Sequence, residues 1–136
     1  MIETALILMI FLSLVLGMLD FGIAVYRNNV LSEAARQLAR QAIVHGKLAT
    51  LLGTWGPTTY NGHANDSNAI AVAVQPYLVG MDPASVTVAM TWPTSSTNNV
   101  GGTVRVTLTA SYTPITTFIV NKSFTIQAIS EMQIDH

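Results

Sequence analysis

No cysteine occurs among the 136 residues, which excludes a disulfide framework and thiolate metal sites without fixing the compartment, since many exported proteins also lack disulfides. Charge is scarce: Asp, Glu, Lys and Arg make up 10% of the chain, with a net charge of −1 and a pI near 6.2. There is therefore no basic patch of the kind that holds a phosphate backbone, and nucleic acid is excluded as an expected partner. No Lys or Arg precedes residue 27, and no proline precedes Pro57. Histidines are few, and His45, His63 and His136 lack metal-ligand spacing, so no metal site is expected. The calcium-loop pattern, a nucleophile with its base, a paired-carboxylate motif and a glycine-rich phosphate loop are all missing, so neither a cofactor nor an enzymatic activity is expected.

What the chain has is apolar surface. Hydrophobic residues reach 50% and the mean hydropathy is +0.45, but the excess is concentrated in MIETALILMIFLSLVLGMLDFG at the N-terminus. Residues 5–19 carry no charge, and extension to Tyr26 adds only Asp20, which brings the run to the roughly 20 residues a helix needs to cross a bilayer. A secretory signal peptide fits poorly, because the run lacks a basic leader before it and an A-x-A-like site after it. Arg27, Arg36, Arg40 and Lys47 all follow the run. By the positive-inside tendency they place the rest of the chain in the cytoplasm, unless a basic leader that set the orientation has been removed.

The helical pattern continues beyond the run and turns amphipathic. Val30, Leu31, Ala34, Ala35, Leu38, Ala39 and Ala42 form an apolar face opposite Asn29, Glu33, Arg36, Gln37, Arg40 and Gln41. One helix of about 45 residues, or roughly 65 to 70 Å, is expected up to Gly46. Its divisions are a hydrophobic segment over 1–28 and an amphipathic continuation over 29–52. The remaining 53–136 read as a small head. A turn-rich connection over 53–65 leads to a helix at about 66–79, capped by Asn65 or Asp66, kinked or shortened by Pro76 and ended by Gly80. Strands with period-two alternation follow at about 85–91, 103–112 and 123–133. The expected fold class is α+β, with the long helix packed on a small antiparallel sheet.

Glu3, the apolar run, the LDFG of residues 19–22, the polar step RNN at 27–29 and EAARQLARQA at 33–42 stand in fixed order. Together they resemble the N-terminal region of the TadE-like pilins, small membrane-anchored subunits associated with Tad-type pili within the type IV pilin superfamily. Ser111-Tyr112-Thr113-Pro114 is a weaker echo of the same family. The resemblance covers about the first third of the chain. It implies a structural subunit that polymerises through its N-terminal helix into a helical homo-oligomeric filament, in the inner membrane before assembly and at the cell surface afterwards. A prepilin peptidase and the pilus assembly machinery are the implied partners. The alternative is a bitopic membrane protein or minor pilin that acts in assembly without polymerising.

By the same resemblance, Glu3 neutralises an N-terminal amine as helices stack, Asp20 pairs with Arg27 or a neighbour's basic group, and Leu6, Met9, Ile10, Leu14, Leu16 and Phe21 pack in the filament core. Glu3 and Asp20 lie roughly 25 Å apart along a helix, too far for one terminus to serve both. Two features depart from the family. Relatives often have a proline in the first third of the run, near the position of Met9. Their glutamate is the fifth mature residue, so an acid at position 3 implies two residues before Met1 or different processing.

Overall fold

The computed structural model describes residues 2–49, 51–94, 97–115 and 122–135. The N-terminal helix α1 runs over Ile2–Val44 without a break, about 65 Å of rod. Gly17 and Gly22 sit within it with open space where a side chain would begin. The head contributes β1 (Tyr60–His63), α2 (Ala69–Val74), β2 (Val86–Thr91), β3 (Thr103–Tyr112) and β4 (Phe124–Gln133). The strands form an antiparallel meander in the order β1-β2-β3-β4. The fold is thus α+β, a long helix on a four-stranded antiparallel sheet with one further short helix.

Alternation along the strands decides which face is covered. Val86, Val88 and Met90 of β2 and Val104, Val106, Leu108 and Ala110 of β3 are buried, and they share a core with Leu31, Ala34, Ala35, Leu38, Ala39 and Ala42 of α1. The alanines let the helix axis approach the sheet closely, while Leu31 and Leu38 fill the remaining space, each contributing about 1.5–3 kcal/mol by burial. The helix lies mainly across β3 and β4. The opposite face of the sheet is mostly polar: Thr87, Thr107 and Thr109 lie on it with the exposed Ile129, and Arg105 meets Glu131 across the β3–β4 ladder at 2.9 Å. This exposed pair contributes about 0–1 kcal/mol.

Two elements differ from the sequence reading. The connection over 53–65 contains β1, whose four residues pair with β2 in the register Tyr60↔Met90 to His63↔Thr87; a strand this short, with Gly62 and two polar residues, has too little alternation to be read from sequence. The helix expected over 66–79 is the six-residue α2, followed by a 3₁₀ turn at Gln75–Tyr77. Its N-cap is Asn68, whose Oδ1 accepts from the Ile70 amide at 2.9 Å, and Pro76 sits in the tighter turn, where its missing N–H costs little. Between β2 and β3, Asn98 ties the chain to the far end of the head: its Nδ2 donates to the Trp55 carbonyl at 3.1 Å and its own carbonyl accepts from the Lys47 amide at 3.0 Å.

Candidate functional site

The junction where α1 leaves the head is built around Asp20. Upstream of it the helix is nearly bare: Leu6, Met9, Ile10 and Leu14 are exposed and Leu16 is half-buried, while Phe21, directly after it, is exposed too. Glu3 is exposed as well. Asp20, by contrast, is only 7% exposed, one of two buried polar residues among those described. A carboxylate can be enclosed in this way only if hydrogen bonds replace its water.

The head supplies those bonds. The Tyr112 hydroxyl at the end of β3 donates to Asp20 Oδ1 at 2.9 Å and lies 3.2 Å from the Asp20 carbonyl. The Ile115 backbone amide donates to Oδ1 at 2.8 Å. Arg27 stands two turns along the helix with its guanidinium carbon 5.0 Å from the centre of the Tyr112 ring, within cation–π range. The phenol of Tyr112 is pushed above its ordinary pKa by burial first, then by its hydrogen bond to Asp20 and that carboxylate's charge, with Arg27 opposing. The proton therefore stays on Tyr112, as donation to Asp20 requires.

Asp20 of LDFG and Tyr112 of Ser111-Tyr112-Thr113-Pro114 are thus brought together across the fold. The sequence marks both segments, yet only tertiary structure joins them. Ile115 acts through its backbone amide and leaves no trace in residue type. Arg27, expected as a partner for Asp20, is placed in the same cluster by way of the tyrosine ring. Beside the cluster lies an apolar groove of about 290 Å³, lined by Gly17, Phe21, Ala24, Pro114, Phe124 and Ile126 together with Asp20 and Tyr112.

A second contact ties α1 to the head higher up. The Tyr26 hydroxyl donates to the Val79 carbonyl at 3.2 Å, next to Gly80, which has φ +71°. At the far end of α1, His45 stacks on Trp55 with ring centres 4.2 Å apart, and its Nδ1 lies 2.7 Å from the Gly53 carbonyl. Gly56, with φ +79°, faces Trp92 so closely that a Cβ there would collide with the indole. These contacts fix the head along the second half of α1 and leave the first half free.

Residues 1–40 match the family model described as TadE-like protein, the family that the sequence resembles. The matched region takes in the bare half of α1, Asp20 and most of the helix face that packs on the sheet. It points to a protein associated with Tad pili that carries an apolar N-terminal helix. No curated protein and no solved structure matches the chain.

Proposed function

We propose that the chain is a pilin-like structural subunit that is held in a membrane by the first half of α1 and then packs that same segment against neighbouring copies in a Tad or type IV-like filament. The observation that carries the reading is the bare apolar rod: residues 2–12 are exposed without a break, and none of residues 2–19 belongs to the core of the head. Lipid and a filament core make the same demand of this segment, since both require the backbone to be satisfied within the helix and the side chains to be apolar all round. The family match over residues 1–40 supports the same reading.

In this proposal Leu6, Met9, Ile10, Leu14, Leu16 and Phe21 form helix-to-helix contacts, and Glu3 neutralises the N-terminal amine of its own or an adjacent copy. Asp20 and Arg27 act at the junction, where the acid holds the head at a fixed height on the helix. The contact between copies is head-to-tail and non-closing, so it repeats without limit. A prepilin peptidase and the assembly machinery process and polymerise the subunit in the membrane.

The experiment is to shear cells that produce the protein and sequence the main released polypeptide. Recovery of this chain in shed filaments supports the proposal, and N-terminal sequencing of the released form defines the processed end. Retention of the chain wholly in the membrane fraction while filaments are shed would instead make it an anchored assembly factor. Within a filament-forming strain, Glu3→Ala is expected to abolish filaments while membrane insertion persists.

A further inference from the structure

We propose that, while α1 spans a bilayer, the base of the head rests in the lipid interface, with Phe21, Ile115 and Phe124 in contact with lipid. The inference depends on the reading of α1 as a membrane span and adds the surface by which the head meets that membrane.

The lengths lead to it. The stretch of α1 from Glu3 to Asp20 is about 25 Å long at 1.5 Å per residue. The hydrocarbon core of a bilayer is about 30 Å thick, and any tilt shortens the helix's projection further. Glu3 is exposed and stays close to the headgroups, because a carboxylate is costly in hydrocarbon. Counting from Glu3, the opposite hydrocarbon boundary falls about 20 residues along, beyond Asp20. The helix therefore reaches the head before it has crossed the hydrocarbon, and the head's base must meet lipid.

The surface at that level suits the encounter. Phe21 is 72% exposed, Ile115 66% and Phe124 49%. Ile115 is held at the height of Asp20 by its own amide, and Phe124 is the register partner of Tyr112. The apolar groove between α1 and the strand ends opens beside them. Asp20, the acid at this level among the described residues, is buried and accepts hydrogen bonds from the Tyr112 hydroxyl and the Ile115 amide of the head. Arg27, further along α1, and Lys122, just before Phe124, supply cations of the kind that favour the headgroup layer.

The absence of native cysteine makes the test direct. Four single-cysteine variants of the full chain, Leu8→Cys, Ile115→Cys, Phe124→Cys and Thr54→Cys, are labelled with an environment-sensitive fluorophore and reconstituted at low density in phosphatidylethanolamine–phosphatidylglycerol vesicles. The vesicles carry nitroxide-labelled lipids, with the quencher either near the headgroup or deep in the acyl chain. Expected is strong quenching of position 8 by the deep nitroxide. Positions 115 and 124 should be quenched several-fold more by the shallow nitroxide than position 54, which lies on the distal side of the head. Deep quenching at position 8 with aqueous behaviour at both 115 and 124 would overturn the inference and leave the membrane span standing. Aqueous behaviour at position 8 would remove the span and the inference together. Shielding of 115 and 124 from water without lipid quenching, present only at high protein density, would assign the surface to a second copy and also overturn the inference.

Discussion

At the scale of single residues, the clearest economy is at Asp20, where a hydroxyl and a backbone amide do the work that an exposed acid leaves to water. Tyr112→Phe removes one of those donors and leaves the carboxylate enclosed, which should lower the unfolding free energy by about 1–3 kcal/mol. The measurement is denaturant unfolding of the full chain in detergent micelles, followed through Trp55 and Trp92, both in the head. In an Asp20→Ala background the same tyrosine change should cost much less, because the acceptor is already gone. Equal costs in the two backgrounds would show that the phenol stabilises the head by packing alone. Tyr60 offers a pH-dependent counterpart at the other side of the head. Burial, then the 3.0 Å hydrogen bond to Asp66 and that carboxylate's charge, push its phenol up to about 12 from an ordinary 10.0. A folded-state value above the unfolded one means that the contribution is complete below pH 10.0 and is lost as pH rises toward about 12. Ultraviolet absorbance titration should show late ionisation of Tyr60 and Tyr112, and in Asp66→Asn the Tyr60 component should move toward the ordinary range.

At the scale of elements, α1 is one helix with two kinds of side-chain surroundings, and substitution should tell them apart. Leu38 is fully buried between the helix and the sheet, so Leu38→Ala should destabilise the head by about 2–5 kcal/mol. Leu8→Ala, on the bare half, should leave head unfolding in micelles unchanged. A head that responds equally to both would mean that the two halves are not separate in their packing. This division was legible in the sequence, because the apolar residues change from all-round to a stripe near Val30, and a 3.6-residue period is easy to detect over so many turns. The three longer strands were legible for the same reason, since Thr103–Tyr112 alternates through its whole length. Short elements were not. Tyr60–His63 is defined by pairing with Val86–Thr91, a partner remote in sequence, and Ala69–Val74 is cut short where Pro76 favours a tighter turn. The junction was half legible: Asp20 and the Tyr112 segment each stood out, but the Ile115 amide carries no residue-type signature, and the contact between them arises only when β3 lies alongside α1.

At the scale of the whole molecule, the decisive imbalance is between a head that is closed and a rod that is open. A monomer in water would leave the large side chains of residues 2–19 unburied, far beyond the few hundred Å² of contiguous apolar surface that soluble monomers tolerate. The rod must therefore always have a cover, whether lipid, detergent or other copies, and removal of one should drive the protein to another. On dilution of detergent in the absence of lipid, the purified chain should associate, and a head-to-tail contact predicts open-ended polymers without a fixed subunit number. Electron microscopy and sedimentation would distinguish such polymers from closed oligomers, which would contradict a non-closing contact. Ile10 lies near the middle of the rod and is 61% exposed. Ile10→Arg places a charge at the centre of either environment, at a cost of about 2.5–3.5 kcal/mol for membrane insertion. The same variant should block polymer formation while the head, which does not touch residue 10, unfolds at an unchanged denaturant concentration. Loss of head stability in this variant would mean that rod and head are energetically coupled, and the separation of membrane-bound and assembled states by exchange of the rod's cover alone would no longer hold.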